Sequence, residues 1–207
     1  MELVVLIIAW MVAGGSPGPA TLVIAGTAMR RGRAAGLAVA SGIVTGSAFW
    51  GVAAALGMSV LMLRHIWLFE TLRYVGALFL IYLAYKALRS AMRSDGTAQI
   101  NALDDLRPGR LWAKGALIHL TNPKAILGWG AVFAVAVPPT APAAQIWQTY
   151  GMLIIASSVV FFGYAFLFSS ERMIRAYTRA RRWFEATFGL LFGASGLTLL
   201  LVRGQTS

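Results

Sequence analysis

The 207-residue sequence contains no cysteine and only two histidines. Without thiols there are no disulfides and no cysteine metal site, and the redox compartment cannot be read. His65 and His119 are too few for a histidine metal cluster. Charge is scarce too. Charged residues make up 12% of the chain, about half the share of an ordinary soluble domain, and only seven are acidic. Glu2, Glu70, Glu171 and Glu185 lie near the ends of apolar runs, so no acidic pair stands inside one. No phosphate-binding glycine loop and no zinc pattern occur. The chain therefore offers no catalytic set, no cofactor or metal is expected, and an ATP-driven pump on this chain alone is disfavoured.

What is there is hydrocarbon. The chain is 58% hydrophobic, with a mean hydropathy of +0.72. Several apolar runs approach or exceed the ~20 residues that cross a ~30 Å hydrocarbon core. A soluble chain of this length could not hide so much apolar surface behind so little charge. The pattern predicts an all-α polytopic membrane protein with six transmembrane helices, near residues 3–28, 36–62, 66–88, 111–136, 145–168 and 184–202. The first run starts Met1-Glu2, without the basic segment of a secretory signal, so it reads as a span. The third is the weakest, because Glu70 and Arg73 fall in its first turns. Trp67, Tyr74, Tyr82 and Tyr85 suit interface anchors there.

The net charge of +11 invites a nucleic-acid reading, but its placement argues against one. The cations sit between apolar runs. Loops 1–2, 3–4 and 5–6 hold three, six and five Lys or Arg, against Arg64, Arg73 and Arg203 on the other side. Under the positive-inside rule the odd-numbered loops face the cytoplasm and both termini face out. The loop near 90–110, SDGTAQINALDDLRPG, reads as a solvated linker. It divides the chain into a first three-helix half (1–89) and a second (111–207). Three spans per half bring the second half in from the opposite side, which permits an inverted repeat.

Each half opens with an interrupted span, Ser16-Pro17-Gly18-Pro19-Ala20 in one and Thr121-Asn122-Pro123-Lys124-Ala125 in the other. Proline lacks an N–H and clashes with the carbonyl four residues back, so the breaks free the carbonyls of Ala13, Gly15 and His119. Such groups must face protein or water, not lipid. Asn122 is a good N-cap before Pro123. N–H groups near Ala20, Thr21 and Ala125 would then suit a carboxylate, and the carbonyl ends of the first half-helices an ammonium. Paired breaks in corresponding places point to the binding site of a transporter, here for a zwitterion; the plainer alternative is kinks that serve packing. Lys124 either binds a substrate carboxylate or pairs with freed carbonyls. His119 either carries a proton or is a hydrogen-bonded packing residue. Ser41, Thr45 and Ser47 are candidate polar lining from the second span. The Gly42/Gly46 and Gly189/Gly193 pairs would serve a homodimer or packing within the bundle equally well.

The sequence resembles the lysine exporter (LysE/RhtB) family of bacterial amino-acid efflux proteins. SPGPA, RRGRAAGLAVASGIVTG, LFETLRYVGALFLIYLAYKALRS, KGALIHLTNPKAIL and the closing ERMIRAYTRARRWFEATFGLLFGASGLTLLL carry the likeness over nearly the whole chain. It implies a six-span inner-membrane exporter of amino acids or related metabolites, driven by the proton gradient. It also implies that Pro17, Gly18, Pro19, Asn122, Pro123 and Lys124 are motif residues. Two positions depart from acids found in similar members: Ser47 follows Gly46, and Gly128 follows the NP motif. A neutral amino acid is therefore favoured over a cationic one, and no membrane carboxylate is visible to carry a proton. Two alternatives remain at this point: efflux of other metabolites or drugs, and a non-transporting membrane scaffold.

Overall fold

The computed structural model describes residues 2–16, 18–64, 103, 107–138 and 140–170 as continuous or single positions. It also describes 74, 77–78, 81–82, 84–85, 88–89, 91–92, 182–183, 186–187, 189–190, 193–194 and 197. Pro17 and most of the third and sixth predicted spans lie outside these residues. The described elements are all helical: α1 (Glu2–Gly15), α2 (Pro19–Arg31), α3 (Arg33–Arg64), α4 (Pro108–Leu120), α5 (Pro123–Ala136) and α6 (Ala143–Leu167). No strand occurs among them.

Among the described residues, two segments are each long and apolar enough to cross a membrane, Arg33–Gly57 within α3 and Ala143–Leu167 in α6. At 1.5 Å per residue, 25 residues span roughly 37 Å, more than the hydrocarbon core. The α1/α2 pair would make a third span, bent by 61° at the Pro-Gly-Pro break. The predicted fourth span is likewise two helices, α4 and α5, meeting at Thr121-Asn122. α5 alone has 14 residues, about 21 Å, which is too short to cross.

The break in α4/α5 has a local cause. Asn122 is in extended conformation and its Oδ1 accepts the Lys124 N–H at 3.0 Å, an N-cap with proline next to it. The α1/α2 break is capped differently. Gly18 occupies the N-cap of α2, and Thr21 Oγ1 accepts its N–H at 3.0 Å. The chain turns from α2 into α3 at Gly32, whose φ of +83° is ordinary only for glycine.

Small residues set the packing. A methyl group built on Gly42 would collide with the Trp112 carbonyl on α4, and one on Gly115 with the Val39 carbonyl on α3. The two backbones touch there, and α3 makes its most extensive helix contact with α4. The Gly42/Gly46 stripe is thus spent inside the bundle. Gly189 lies instead chiefly against the Leu88 side chain, with the Ala84 carbonyl next nearest. Buried Val23, Ile24, Val39, Ile43, Leu111 and Phe161 form one apolar cluster between α2, α3, α4 and α6. Trp129, Phe133, Val137, Ile146 and Leu153 form another between α5 and α6, with Ala55 of α3.

Candidate binding cavity at the two breaks

Freed carbonyls find partners at both breaks. Ala13 O accepts the Ser16 hydroxyl at 2.9 Å, and Gly15 O accepts the Tyr164 hydroxyl from α6. His119 O accepts the Asn122 N–H at 3.2 Å, and Leu120 O accepts the Trp50 indole N–H at 3.2 Å. These bonds satisfy the demand that buried backbone groups be paired where water is absent. They also fix the ends of the half-helices in space.

The two breaks meet. Lys124 Nζ donates to Ser16 O at 3.1 Å and to Ser16 Oγ, joining the start of α5 to the end of α1. The ammonium therefore sits at the carbonyl end of α1, where the helix dipole favours a cation by about 0.3–1 kcal/mol. Both breaks open on a cavity of about 150 Å³. Ser16, Gly18, Ala20 and Thr21 line it from the first break, and Asn122, Lys124 and Ala125 from the second. Ser47 of α3, His119 of α4, and Ser157 and Phe161 of α6 complete its polar part and one apolar side. Trp10 and Trp129 wall it farther along α1 and α5, together with Leu6, Val132 and Val135. No Asp or Glu is among the lining residues.

Of the residues singled out in the sequence, Gly18, Ala20, Thr21, Ser47, His119, Asn122 and Lys124 converge on this cavity. Pro19 and Pro123 are exposed and stand outside its lining, where they shape the breaks without facing the cavity. Ser41 and Thr45 also lie apart from it. Ser41 Oγ donates to Ala38 O at 2.9 Å, and Thr45 Oγ1 donates to Ser41 O and accepts the Trp112 indole N–H. Pro17 lies outside the described residues. Lys124 Nζ is held here by Ser16 O and Ser16 Oγ, neither of them among the three carbonyls that the prolines free.

His119 is 5% exposed, and its Nδ1 has no hydrogen-bond partner. Its ring meets Phe161 edge-on, with centroids 5.4 Å apart. Buried polar atoms are nearly always paired, so this one is conspicuous beside a cavity.

Trp10, Trp129, Ser16 and Ser157 were not among the sequence candidates. The signal for the two tryptophans was present but easily misread. Tryptophan usually marks a membrane interface, whereas Trp10 and Trp129 sit within apolar helices, roughly 7–9 Å of helix from their breaks. Ser47 and Gly128, the two positions that depart from an acidic pattern, both line the cavity. Each faces an indole: Ser47 Oγ accepts the Trp129 N–H, and Gly128 lies against the Trp10 ring.

A family model described as "LysE type translocator" matches residues 11–203. The chain is 31% identical over 194 residues to the "Threonine efflux protein" of Salmonella typhimurium, covering 93% of this chain and 94% of that one. It is 30% identical over the same length to the "Threonine efflux protein" of Escherichia coli K12. A "Leucine efflux protein" of Salmonella typhimurium is 31% identical over 182 residues, covering 85% and 84% of the two chains. No solved structure matches the chain.

Proposed function

Because the chain belongs to the LysE type translocator family, and is thereby a transporter and not an enzyme, we propose that it exports neutral amino acids across the bacterial inner membrane. The names of its relatives, threonine and leucine efflux proteins, support that substrate class. The observation that carries the reading is the single cavity shared by the two breaks. In this reading the substrate carboxylate takes Lys124 Nζ and the N–H groups opening α2 and α5, where helix dipoles favour an anion. Its ammonium takes Ser16 O, at the carbonyl end of α1. The substrate thus replaces contacts the protein makes with itself.

Six spans in two inverted halves, 1–89 and 111–207, would open this site alternately to either side, with both termini outside. The proton gradient drives export, and His119 carries the proton, since its unpaired Nδ1 lies beside the cavity and no carboxylate does. The experiment loads cells expressing the chain with amino acids through dipeptides and follows the medium by mass spectrometry. Selective release of threonine- or leucine-like amino acids, lost in Lys124→Ala at equal membrane expression, is the expected result. Equal release from wild-type, variant and vector-only cells would sink the proposal.

A further inference from the structure

The cavity has a polar floor and an aromatic wall. α1 runs into its break and α5 runs out of its own, so from the Ser16–Lys124 contact both helices leave in the same direction, side by side. Six residues before Ser16 stands Trp10, and five after Lys124 stands Trp129. Their rings meet edge-on, with centroids 4.8 Å apart and planes at 62°.

Both indoles are held. Trp10 Nε1 donates to Ser157 Oγ at 2.9 Å and to Leu153 O at 3.1 Å, which fastens it to α6. Trp129 Nε1 donates to Ser47 Oγ at 3.1 Å, and its ring is 1% exposed, packed near Phe133 and Tyr150. With both N–H groups spent, what the pair offers the cavity is hydrocarbon alone. A side chain that needed a donor there would lose its hydration without replacement.

The distances fit a short side chain. An ammonium–carboxylate contact spans about 2.8 Å, and four bonds of about 1.5 Å separate a leucine's carboxylate carbon from its far methyl. An amino acid bound at the floor therefore ends its side chain at the indoles. We propose, building on the export reading, that the Trp10–Trp129 pair is the specificity-determining wall. It admits side chains up to the length of leucine and turns away aromatic ones.

The test reads ratios within one cell line, which expression level does not move. Cells expressing the full chain are loaded with dipeptides supplying threonine, leucine and phenylalanine. Wild type releases threonine and leucine and at least about tenfold less phenylalanine. Trp10→Ala opens the wall and raises the phenylalanine-to-leucine ratio about tenfold, the scale on which hydrophobic pockets discriminate by size. Gly128→Ala adds a methyl 3.8 Å from the Trp10 ring, in ordinary contact, and tightens the same space. It lowers the leucine-to-threonine ratio about tenfold, and it carries the test alone if Trp10→Ala fails to accumulate. Unchanged ratios in every variant that accumulates, or phenylalanine release by wild type equal to that of leucine, would overturn the wall while leaving export intact. A wild type that releases no amino acid would overturn the export reading itself, and the wall with it.

Discussion

A lysine ammonium far from a membrane surface must recover the hydration it gives up, or it costs several kcal/mol. Lys124 does so with Ser16 O and Ser16 Oγ, and the hydroxyl in turn donates a hydrogen bond to Ala13 O. Ser16 is the partner on which this depends, through its side chain as well as its carbonyl. Ser16→Ala leaves the carbonyl and removes the hydroxyl, so it is expected to weaken the protein by about 1–3 kcal/mol, measured as a lower unfolding temperature in detergent. Asn122 gives a separate prediction. Its side chain caps α5, so Asn122→Ala costs about 1 kcal/mol, whereas Asn122→Ser keeps most of the stability. Parallel melts of the two variants check this. Equal losses in both would mean that the cap is not what Asn122 contributes.

At the scale of elements, small residues decide how close the helices come. Gly42→Ala or Gly115→Ala forces a methyl into a facing backbone carbonyl, with an expected loss of about 1–3 kcal/mol or more. Gly57 in the same α3 has nothing within 4 Å, so Gly57→Ala should stabilise by about 0.5–1 kcal/mol. Thermal melts that ranked the three alike would refute the backbone contact between α3 and α4. Much of this level was legible in the sequence. Proline chemistry named the breaks, and it named Ala13, Gly15 and His119 as the carbonyls left over. Their partners were not legible. Tyr164 reaches Gly15 from 149 residues away, and Trp50 reaches Leu120 across 70. Helical periodicity shows which residues share a face, but not which face of another helix will meet it. For the same reason Ser41 and Thr45 seemed fit to line the cavity, yet they bond within α3 and to Trp112. Ser47, two residues beyond Thr45, turns to Trp129 instead.

For the whole molecule the asymmetry of charge makes the strongest statement. In the proposed six-span arrangement, fourteen Lys or Arg in the odd-numbered loops against three opposite predict that both ends of the chain lie outside. A periplasm-dependent reporter such as alkaline phosphatase, fused after Ser207, should be active. One fused in the 90–110 linker should be silent. The reverse pattern would invert the orientation. The contact between α3 and α4 is also a seam between the two proposed halves, since α3 belongs to one and α4 to the other. Close-packed backbones resist separation, so movement between halves would have to spare that seam and fall on α1, α2, α5 and α6.

The Lys124–Ser16 bridge bears on what an exporter does while it waits. A vacant zwitterion site presents a bare cation and a bare dipole end, each an invitation to stray ions. If the proposed site is right, the lysine lies in the place of the substrate's ammonium, and the carrier holds a built-in stand-in for half of its cargo. An incoming amino acid would then have to displace that stand-in and offer it a carboxylate in return. A lone sodium or chloride can satisfy only one side of the exchange. On that proposal, loading would be reserved for molecules carrying both charges a few ångströms apart, and the idle protein would stay shut to the ions around it.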